Sequence, residues 1–387
     1  MNEIPMLDLK LEYEYMKNDI DLAIRKCLEH QKWILGPEVK ELETTVAEYL
    51  GVKHCIGASS GTEALVLSLR ALAIKITGRE YFTSDEQIIT TPFTFTATGD
   101  AILRSGATPV FADIDPASFN IDPQQIRNYI SSANRKVVGI LPVHLYGKSC
   151  QMDEIMTIAK DHGLFVVEDV AQAFGGTWKS KKLGSIGTTG CFSFFPSKNL
   201  GGFGDGGLVS TNDDSLAELV RMLLKHGGKD KYNVDHIGYN ARLDTLQAAV
   251  ILAKLRYLDE FNNKRVRIAQ SYNEELRGAT ELLLPEISEG HVFHQYTVRV
   301  AGRKRDALQK KLQSSGINTM VYYPVPLHVM RVFSGRHALA DRTCANAEQI
   351  ALEVLSLPIE PLMKDGVIKT IASNIKSATY HTEQASV

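Results

Sequence analysis

A strand, a helix and a second strand follow one another within residues 137–169. Residues 137–145 (VVGILPVHL) form an apolar run of strand length, and residues 164–169 (LFVVED) form another. Between them, residues 151–163 place their apolar side chains at helical spacing and close on Gly163. Two buried strands joined by a helical crossover lie parallel in one sheet. This unit therefore predicts an α/β fold with a mainly parallel sheet.

The same alternation continues through the first 250 residues and then changes. Residues 88–95 and 108–115 have the character of further strands, and residues 60–74 have that of a helix. A long, charged amphipathic stretch follows, and the remainder contains a clear strand and a clear helix. A single core stops growing beyond about 250 to 300 residues. We therefore expect a large domain at residues 1–250 and a smaller C-terminal α/β domain at residues 251–387.

Charge and composition indicate which kinds of molecule this protein binds. Lys and Arg number 43 against 45 Asp and Glu, a net charge of −2, which gives no reason to expect nucleic acid or an anionic membrane as a partner. The N-terminus lacks the features of a signal peptide, and no apolar run approaches the roughly 18 residues that a membrane span needs. Five scattered cysteines without a CxxC pair indicate neither a disulfide framework nor a zinc site. We expect a cytoplasmic protein with no metal and a small soluble substrate.

One lysine stands in an unusual setting, within residues 191–207 (CFSFFPSKNLGGFGDGG). Lys198 lies between three phenylalanines and a run of seven residues that holds five glycines. Residues 202–207 match the G-x-G-x-x-G dinucleotide pattern in form, but a lysine loop precedes them and a strand-like run follows, so the context is wrong. A P-loop is excluded because the lysine comes before the glycines.

A flexible surface loop and an activated amine are the two explanations for this stretch. Apolar surroundings disfavour the charged form of an amine and lower its pKa. A lysine that forms a Schiff base needs such a shift. The lysine needs a carbonyl compound with which to form the Schiff base. Pyridoxal phosphate is the commonest such compound with a phosphate that a helix N-terminus can hold. A pyridoxal phosphate site requires three further parts, which are an anion cradle, a carboxylate and an aromatic ring.

A pyridoxal phosphate site needs an anion cradle, and residues 59–62 offer one. They begin a predicted helix, where free N–H groups, hydroxyls and the helix dipole favour an anion. An ordinary N-cap formed by Ser60 with Glu63 explains the same residues.

A carboxylate and an aromatic ring would complete the site. Asp169 ends the second strand of the βαβ unit, at the carboxyl end where open α/β sheets place their ligands, and Glu168 points to the opposite face. A carboxylate there keeps the pyridine ring protonated, which makes the ring an electron sink. Phe93 and Phe95 each offer a ring to stack on the cofactor. A turn aspartate and ordinary core aromatics are the alternatives.

These parts occur in the order typical of fold type I pyridoxal phosphate enzymes, and the chain resembles one family of them closely. Its likeness to the DegT/DnrJ/EryC1/StrS sugar aminotransferases runs from about residue 33 to about residue 359. The stretches that carry it are GASSGTEAL, TPFTFTAT, PVHLYG, VVEDVAQAFG, FSFFPSKNLGGFGDGG, GYNARLDTLQAA, YYPVPLH and EVLSLPI. The resemblance implies an aspartate aminotransferase-like fold, with a large α/β/α domain around a mainly parallel sheet and a smaller C-terminal α/β domain.

The resemblance also implies roles for individual residues. Lys198 would form the Schiff base, Asp169 would pair with the pyridine nitrogen, and Gln172 would bond the ring oxygen. Phe95 rather than Phe93 matches the stacking position. The other implied residues would hold the cofactor phosphate (Gly61, Thr62 and Ser193), the phosphate in the partner subunit's site (Asn240) and the substrate (Arg242, Tyr323 and His328). A homodimer with shared active sites follows as an expectation, and a histidine that is solvent-facing or buried in packing stays the alternative for His328.

Amino transfer is the chemistry that the resemblance implies. Members with histidine in place of the lysine carry out dehydration instead, and Lys198 is present here. L-glutamate would convert pyridoxal phosphate to pyridoxamine phosphate, which would then aminate a keto-sugar bound as its nucleotide diphosphate. NLGGFGDGG after the lysine is similar to members that aminate 3-oxo sugars. We therefore expect a C3 amino sugar, made for cell-surface polysaccharide or glycoconjugate.

Four alternatives stay open at this point. They are amination of a 4-oxo sugar, dehydration of a deoxysugar, amination of a cyclitol ketone, and a cofactor-binding regulator, for which no DNA-binding module is visible. The connection at residues 74–87 is longer than is usual between the phosphate helix and the next strand. It either shapes the substrate mouth or forms a plain surface insertion.

Overall fold

The computed structural model describes residues 3–230, 232–341 and 343–384, with side chains described up to residue 378. Its α-helices are α1 (Leu9–His30), α2 (Pro37–Leu50), α3 (Gly61–Thr77), α4 (Thr96–Arg104), α5 (Pro123–Ser132), α6 (Met152–His162), α7 (Asp214–Leu223), α8 (Thr245–Leu255), α9 (Leu258–Glu275), α10 (Arg305–Ser314), α11 (Ala345–Glu353) and α12 (Asp365–Gln384). Short 3₁₀ helices lie at Leu145–Gly147, Leu327–Val329 and Arg331–Phe333.

The strands form three sheets within the described residues. They are β1 (His54–Ala58), β2 (Glu86–Thr90), β3 (Thr108–Phe111), β4 (Lys136–Leu141), β5 (Phe165–Asp169), β6 (Thr177–Trp178), β7 (Lys181–Lys182), β8 (Thr189–Ser193), β9 (Gly207–Thr211), β10 (Leu282–Leu283), β11 (Tyr296–Val300), β12 (Ala338–Leu339) and β13 (Val354–Leu357). The large sheet has the order β1-β9-β8-β5-β4-β2-β3-β12. Its strand β9 runs antiparallel to β1 and β8, and the other neighbouring strands pair in parallel.

Helices cover both faces of the large sheet. Ile88 and Val167 point into a core shared with α3 and α7, whereas their neighbours Ile89 and Val166 point into a core shared with α5 and α6. Alternate residues of these strands thus meet apolar partners on opposite sides, which is why the strands are apolar almost throughout. This arrangement confirms the α/β class and the mainly parallel sheet.

The βαβ unit that the sequence predicted is present as β4, α6 and β5. The two strands pair in parallel through Gly139 with Phe165 and Ile140 with Val166. Helix α6 ends where Gly163 adopts a left-handed conformation (φ 64°), and the N–H of Gly163 donates to the carbonyl of Ala159. The strand predicted at residues 88–95 is shorter than expected, since β2 ends at Thr90 and the chain turns toward α4.

A second, antiparallel sheet has the order β10-β11-β13. Its core contains side chains from α9, α10 and α12 together with Tyr296, Val298 and Leu355. The strand β12, which follows this sheet's first two strands in the chain, pairs with β3 of the large sheet. Helix α8 runs through residue 250, so the division of the chain at that residue stays a prediction. Among the described residues, no helix has both the length and the apolar character needed to cross a membrane.

Candidate active site

Lys198 lies in the loop between β8 and β9, at the carboxyl edge of the large sheet. Its backbone N–H donates to the carbonyl of Phe195 over 2.8 Å. Phe192 and Phe194 are fully buried beneath the loop and pack against Phe174, with ring centroids 4.9 and 6.0 Å away. Phe195 is 52% exposed, so two of the three predicted aromatics, rather than all three, are buried.

The amine of Lys198 has the shifted pKa that the sequence led us to expect. Burial lowers the pKa from 10.5 to about 8, although the nearby negative charge of Asp169 works in the opposite direction. An amine with this pKa is neutral in a useful fraction of molecules near pH 8, which a nucleophile or a general base requires.

The glycines that follow the lysine allow close approaches of the backbone. A Cβ on Gly207 would lie 2.3 Å from the carbonyl oxygen of Ser60, and one on Gly201 would lie 2.4 Å from that of Pro196. Gly202 lies against the side chain of Gln247, whose Oε1 accepts from the N–H of Phe203 over 2.8 Å. These contacts hold the loop against the body of the protein, in contrast to the flexible surface loop that the glycines alone would allow.

Asp169 ends β5 and is 5% exposed. Its Oδ2 accepts from the hydroxyl of Thr98 over 2.9 Å, and its Oδ1 accepts from the N–H of Ala171 over 3.1 Å, so it also forms the turn contact that the sequence left as an alternative. Burial raises the pKa of Asp169, while these two hydrogen bonds and the positive charge of Lys198 counteract part of the rise. The carboxyl is thus coupled electrostatically to the lysine.

The neighbouring Glu168 points away from Asp169, as strand alternation predicts. It is fully buried and accepts from the N–H groups of Gly184, Ile186 and Gly187 over 2.7 to 2.9 Å. Its Oε2 also lies 3.1 Å from Nε2 of His144. Glu168 therefore holds a loop in place on the far side of the strand, and Asp169 is left to face the lysine.

The start of α3 lies against the end of β8. A Cβ on Gly61 would lie 2.6 Å from the Cβ of Ser193, so a side chain there would close the gap between the helix N-terminus and the serine. Ser60 caps the helix by accepting from the N–H of Glu63 over 3.1 Å, so the N-cap explanation is correct and the anion cradle is compatible with it. Thr62 is half-buried in the first turn.

Asn240 and Arg242 run alongside this cradle. The N–H of Ser59 donates to the carbonyl of Ala241 over 2.9 Å, and Arg242 forms a bridge with Ala58. The guanidinium of Arg242 donates to Oδ1 of Asn240. The structure therefore brings both predicted residues to the end of β1, which leads into α3. The contact of Asn240 with a partner subunit stays a prediction.

Gln172 and Tyr323 are joined, which sequence reasoning did not anticipate. Nε2 of Gln172 donates to the hydroxyl of Tyr323 over 2.9 Å, and its Oε1 accepts from the N–H of Tyr146 over 2.8 Å. The ring of Phe95 lies 6.3 Å from that of Tyr323 and is 58% exposed, whereas Phe93 is fully buried in the core. Of the two rings, that of Phe95 is the exposed one, and its stacking on the cofactor stays a prediction.

His328 lies in a buried position on the 3₁₀ helix Leu327–Val329. Its Nε2 is 2.9 Å from Oε1 of Glu348, and its side chain is 5% exposed. Its Nδ1 is buried without a hydrogen-bond partner among the described residues. The contact with Glu348 accords with the histidine held in packing, and the role in substrate binding stays a prediction.

Two groups near the lysine escaped sequence reasoning. Thr98, in the first turn of α4, donates to Asp169, and its only signal was a hydroxyl shortly after Phe95. His294 is buried with Nδ1 3.0 Å from Oδ1 of Asn199, the residue after the lysine. Burial, together with the positive charges of Lys198 and Arg265, holds the pKa of His294 well below its ordinary value. No local pattern marks His294, because its partner lies 95 residues away.

The residues present fit pyridoxal phosphate. The lysine has a lowered pKa, a buried carboxyl is coupled to it, and a helix N-terminus without a Cβ faces a serine at the same edge of the sheet. These are the groups that the amine, the ring nitrogen and the phosphate of this cofactor require.

Comparison with known proteins agrees with this site. The sequence profile of the DegT/DnrJ/EryC1/StrS aminotransferase family matches residues 14–376. The chain is 44% identical over 366 residues to a protein of Geobacillus stearothermophilus named pleiotropic regulatory protein, covering 94% of this chain and 95% of that one. It is 42% identical over 375 residues to the UDP-N-acetyl-3-dehydro-alpha-D-glucosamine 3-aminotransferase of Acidithiobacillus ferrooxidans, covering 96% of this chain and 97% of that one.

The fold has solved counterparts. It is similar to the crystal structure of ntda from Bacillus subtilis with bound cofactor pmp, at a TM-score of 0.88 and 30% identity, covering 98% of this chain and 86% of that chain. Because the family profile spans nearly the whole chain and the site fits the cofactor, the protein belongs to the DegT/DnrJ/EryC1/StrS aminotransferase family and is a pyridoxal-phosphate-dependent aminotransferase.

Proposed function

We propose that this enzyme moves the amino group of L-glutamate to the 3-oxo group of a nucleotide-diphosphate-linked sugar. The observation that carries the amino-transfer chemistry is Lys198, an amine with a pKa of about 8 coupled to the buried Asp169. The product would be an amino sugar for a cell-surface polysaccharide or glycoconjugate.

The cofactor, when bound, supplies an electron sink for the charge that develops when a proton leaves Cα of the amino donor. Asp169 would hold the ring nitrogen in its protonated form, and Gln172 would bond the ring oxygen. The helix N-terminus at Gly61 and Thr62, with the hydroxyl of Ser193, would hold the phosphate. Phe95 would cover one face of the ring.

Lys198 would act as the proton carrier. Its neutral amine would take the proton from Cα of the amino donor and hold it during the first half-reaction, and it would return a proton to the aminated carbon of the sugar in the second. Burial of the amine is what keeps its pKa low.

The choice of C3 rests on two observations. The relative from Acidithiobacillus ferrooxidans, 42% identical over nearly the full length of both chains, is named as a 3-aminotransferase of a UDP-linked 3-dehydro sugar. The loop after the lysine, NLGGFGDGG, also has the form that led us to expect C3. Arg242, Tyr323 and His328 would contact the sugar nucleotide.

We further propose a homodimer in which Asn240 of one subunit reaches the cofactor phosphate of the other. In support, Val234 and Ile237 are 55% and 62% exposed on the segment that leads to Asn240, and Trp33 and Leu35 are 40% and 46% exposed near the start of α2. An interface between two subunits would cover these side chains and remove their apolar surface from water. Sedimentation velocity tests the assembly, and a monomer at micromolar concentration would contradict it.

A cytoplasmic location is part of the same proposal. All five cysteines are buried free thiols, which is typical of reducing compartments. Cell fractionation followed by detection of this protein at its natural expression level tests the location. Recovery of the protein outside the cytoplasmic fraction would contradict the proposal.

The function is tested by the absorbance spectrum of the purified protein before and after addition of L-glutamate. Bleaching of the yellow cofactor band with release of 2-oxoglutarate is expected for the wild type, and neither is expected for Lys198→Ala. Incubation of the bleached enzyme with candidate 3-oxo and 4-oxo sugar nucleotides, followed by NMR of the product, then identifies the carbon that receives nitrogen. A bleached enzyme that accepts only 4-oxo sugars would overturn the C3 assignment.

Dehydration and regulation predict different results in the same assay. A dehydratase releases a deoxygenated sugar without net transfer of nitrogen, and a cyclitol aminotransferase recovers its colour with a cyclitol ketone rather than a sugar nucleotide. A regulator binds cofactor and DNA at moderate salt without turning over glutamate, and this outcome would overturn the enzyme proposal.

A further inference from the structure

The insertion at residues 74–87 makes a dense set of contacts with the segment that ends in Asn240 and Arg242. It contains the end of α3 and the stretch up to β2, and its Glu80 lies at the centre of those contacts. Oε1 of Glu80 is 2.8 Å from Nδ1 of His236, and Oε2 accepts from the N–H of Ile237 over 3.3 Å. These contacts tie residues 74–87 to the segment that carries Asn240 and Arg242.

Arg70 of α3 bonds both to residues 74–87 and to the segment that leads to Arg242. It is fully buried, and its guanidinium donates to the carboxylate of Glu80 over 2.8 Å, to the carbonyl of Ile237 over 3.0 Å and to the hydroxyl of Tyr239 over 2.6 Å. Its Nε donates to the carbonyl of Glu80 over 2.5 Å, and its guanidinium carbon lies 3.7 Å from the ring centroid of Tyr81. Arginine forms such forked and stacked contacts in a way that lysine cannot.

The charge balance of this cluster depends on Glu80. A fully buried guanidinium needs a counter-ion. Among the described residues, the carboxylate of Glu80 forms an ion pair with Arg70. Burial works to raise the pKa of Glu80, but the hydrogen bonds from His236 and Ile237 and the charges of His236 and Arg70 outweigh it, so its pKa is below the ordinary value. The carboxylate is therefore charged at neutral pH.

The segment that Arg70 and Glu80 bond leads directly to Asn240 and Arg242 of the candidate active site. The N–H of Tyr239 donates to the carbonyl of Leu223 over 2.7 Å, and the N–H of Ala241 donates to that of Leu224 over 3.1 Å. From there the chain passes Asn240 and Arg242 along Ala58, beside the phosphate helix. The position of Tyr239 thus sets where the next three residues lie.

We propose that Glu80, acting with Arg70, is a positioning residue that sets the placement of Asn240 and Arg242 in the active site. The inserted stretch is then a support for the site that this chain carries in addition to the family motifs. The proposal rests on the proposed function in so far as Asn240 contacts the cofactor phosphate. It assigns a task to residues for which the sequence had left a plain surface insertion as an alternative.

The test compares Glu80→Gln with Glu86→Gln in the full-length holoenzyme. Glu86 lies in the same stretch, is 5% exposed and has the partners Arg79, Thr83 and Lys136. In the described part of the chain, no hydrogen bond or ion pair links these partners to residues 236–242. Hydrogen–deuterium exchange of peptides that cover residues 234–242 and the dissociation constant of pyridoxal phosphate are measured for both. We expect Glu80→Gln to speed exchange and weaken cofactor binding by about tenfold, because a buried guanidinium loses its charge partner.

Glu86→Gln is expected to lower the melting temperature without either effect, and Glu80→Asp, which keeps the charge, is expected to restore most of the cofactor affinity. Equal exchange and equal cofactor affinity in Glu80→Gln and Glu86→Gln would overturn the proposal. Glutamate turnover by the wild type is recorded in parallel. Its absence would overturn the proposed function alone, since exchange and cofactor binding would still decide the positioning role.

Discussion

At the scale of single residues, two adjacent carboxylates show how environment divides their tasks. Asp169 faces Lys198, and among the described residues its carboxylate accepts hydrogen bonds from Thr98 and Ala171, so we expect Asp169→Asn to keep its fold. If Asp169 keeps the ring nitrogen protonated as proposed, the loss of its charge should lower kcat by about 100- to 1,000-fold, while the free energy of unfolding changes by less than about 1 kcal/mol. Steady-state kinetics and thermal unfolding measure the two quantities.

Glu168→Gln is the matched control for this prediction. Its carboxylate accepts three backbone N–H groups, and the amide of glutamine cannot accept them all. We expect a loss of about 1–3 kcal/mol in the free energy of unfolding, with kcat reduced far less than in Asp169→Asn. Activity of Asp169→Asn within twofold of the wild type would mean that the aspartate has no role at the ring.

At the scale of elements, the two ends of α3 carry different constraints on glycine. A Cβ on Gly61 meets Ser193 at 2.6 Å, so Gly61→Ala should push the helix start away from β8 and weaken binding of pyridoxal phosphate by about tenfold, the effect of 1–3 kcal/mol of overpacking. Gly78, at the other end, has a φ of 69° and open space around it. Titration of cofactor-free enzyme with pyridoxal phosphate measures the affinity.

Gly78→Ala separates helix stability from cofactor binding. It should cost about 1 kcal/mol of stability, because alanine is strained in the left-handed region, and it should leave the affinity for the cofactor unchanged. If Gly61→Ala binds pyridoxal phosphate as tightly as Gly78→Ala does, the helix start is not the phosphate cradle.

At the scale of the whole molecule, the loop of Lys198 is tied to α9 through a chain of amides. Nδ2 of Asn199 donates to Oδ1 of Asn262 over 2.8 Å, and Nδ2 of Asn262 donates to the carbonyl of Phe174 over 3.0 Å. Asn262→Ala should loosen the loop and admit water to the amine. Since burial is what lowers the pKa of Lys198 to about 8, that pKa should be higher in the variant.

The rate at which cofactor-free enzyme captures pyridoxal phosphate reports this pKa, because only the neutral amine reacts. For the wild type the rate should climb with pH and level off above about 8, and for Asn262→Ala the midpoint should move upward. Asn273→Ala, on the same helix, is the control, since Asn273 bonds Pro285 and Tyr296 instead. An unchanged midpoint in Asn262→Ala would show that the chain of amides does not govern the amine.

The amino-acid sequence by itself determined the α/β class and the βαβ unit around α6, and it predicted the candidate site residues that lie in contiguous motifs. Neighbouring residues in the chain indicate each of these candidates. They are Lys198 in its aromatic and glycine-rich stretch, Asp169 at a strand end and Gly61 at a helix start. Their chemistry depends on local backbone geometry, which short stretches of sequence encode.

Only the tertiary structure decided which distant side chains complete and support these motifs. Arg70 meets Tyr239 across 169 residues and Gln172 meets Tyr323 across 151, and the strand β12 joins β3 from far along the chain. The pKa of Lys198 likewise depends on how deeply folding buries its amine and how near it brings the charge of Asp169. Burial and long-range contact are properties of the packed chain, and no local pattern of residues encodes them.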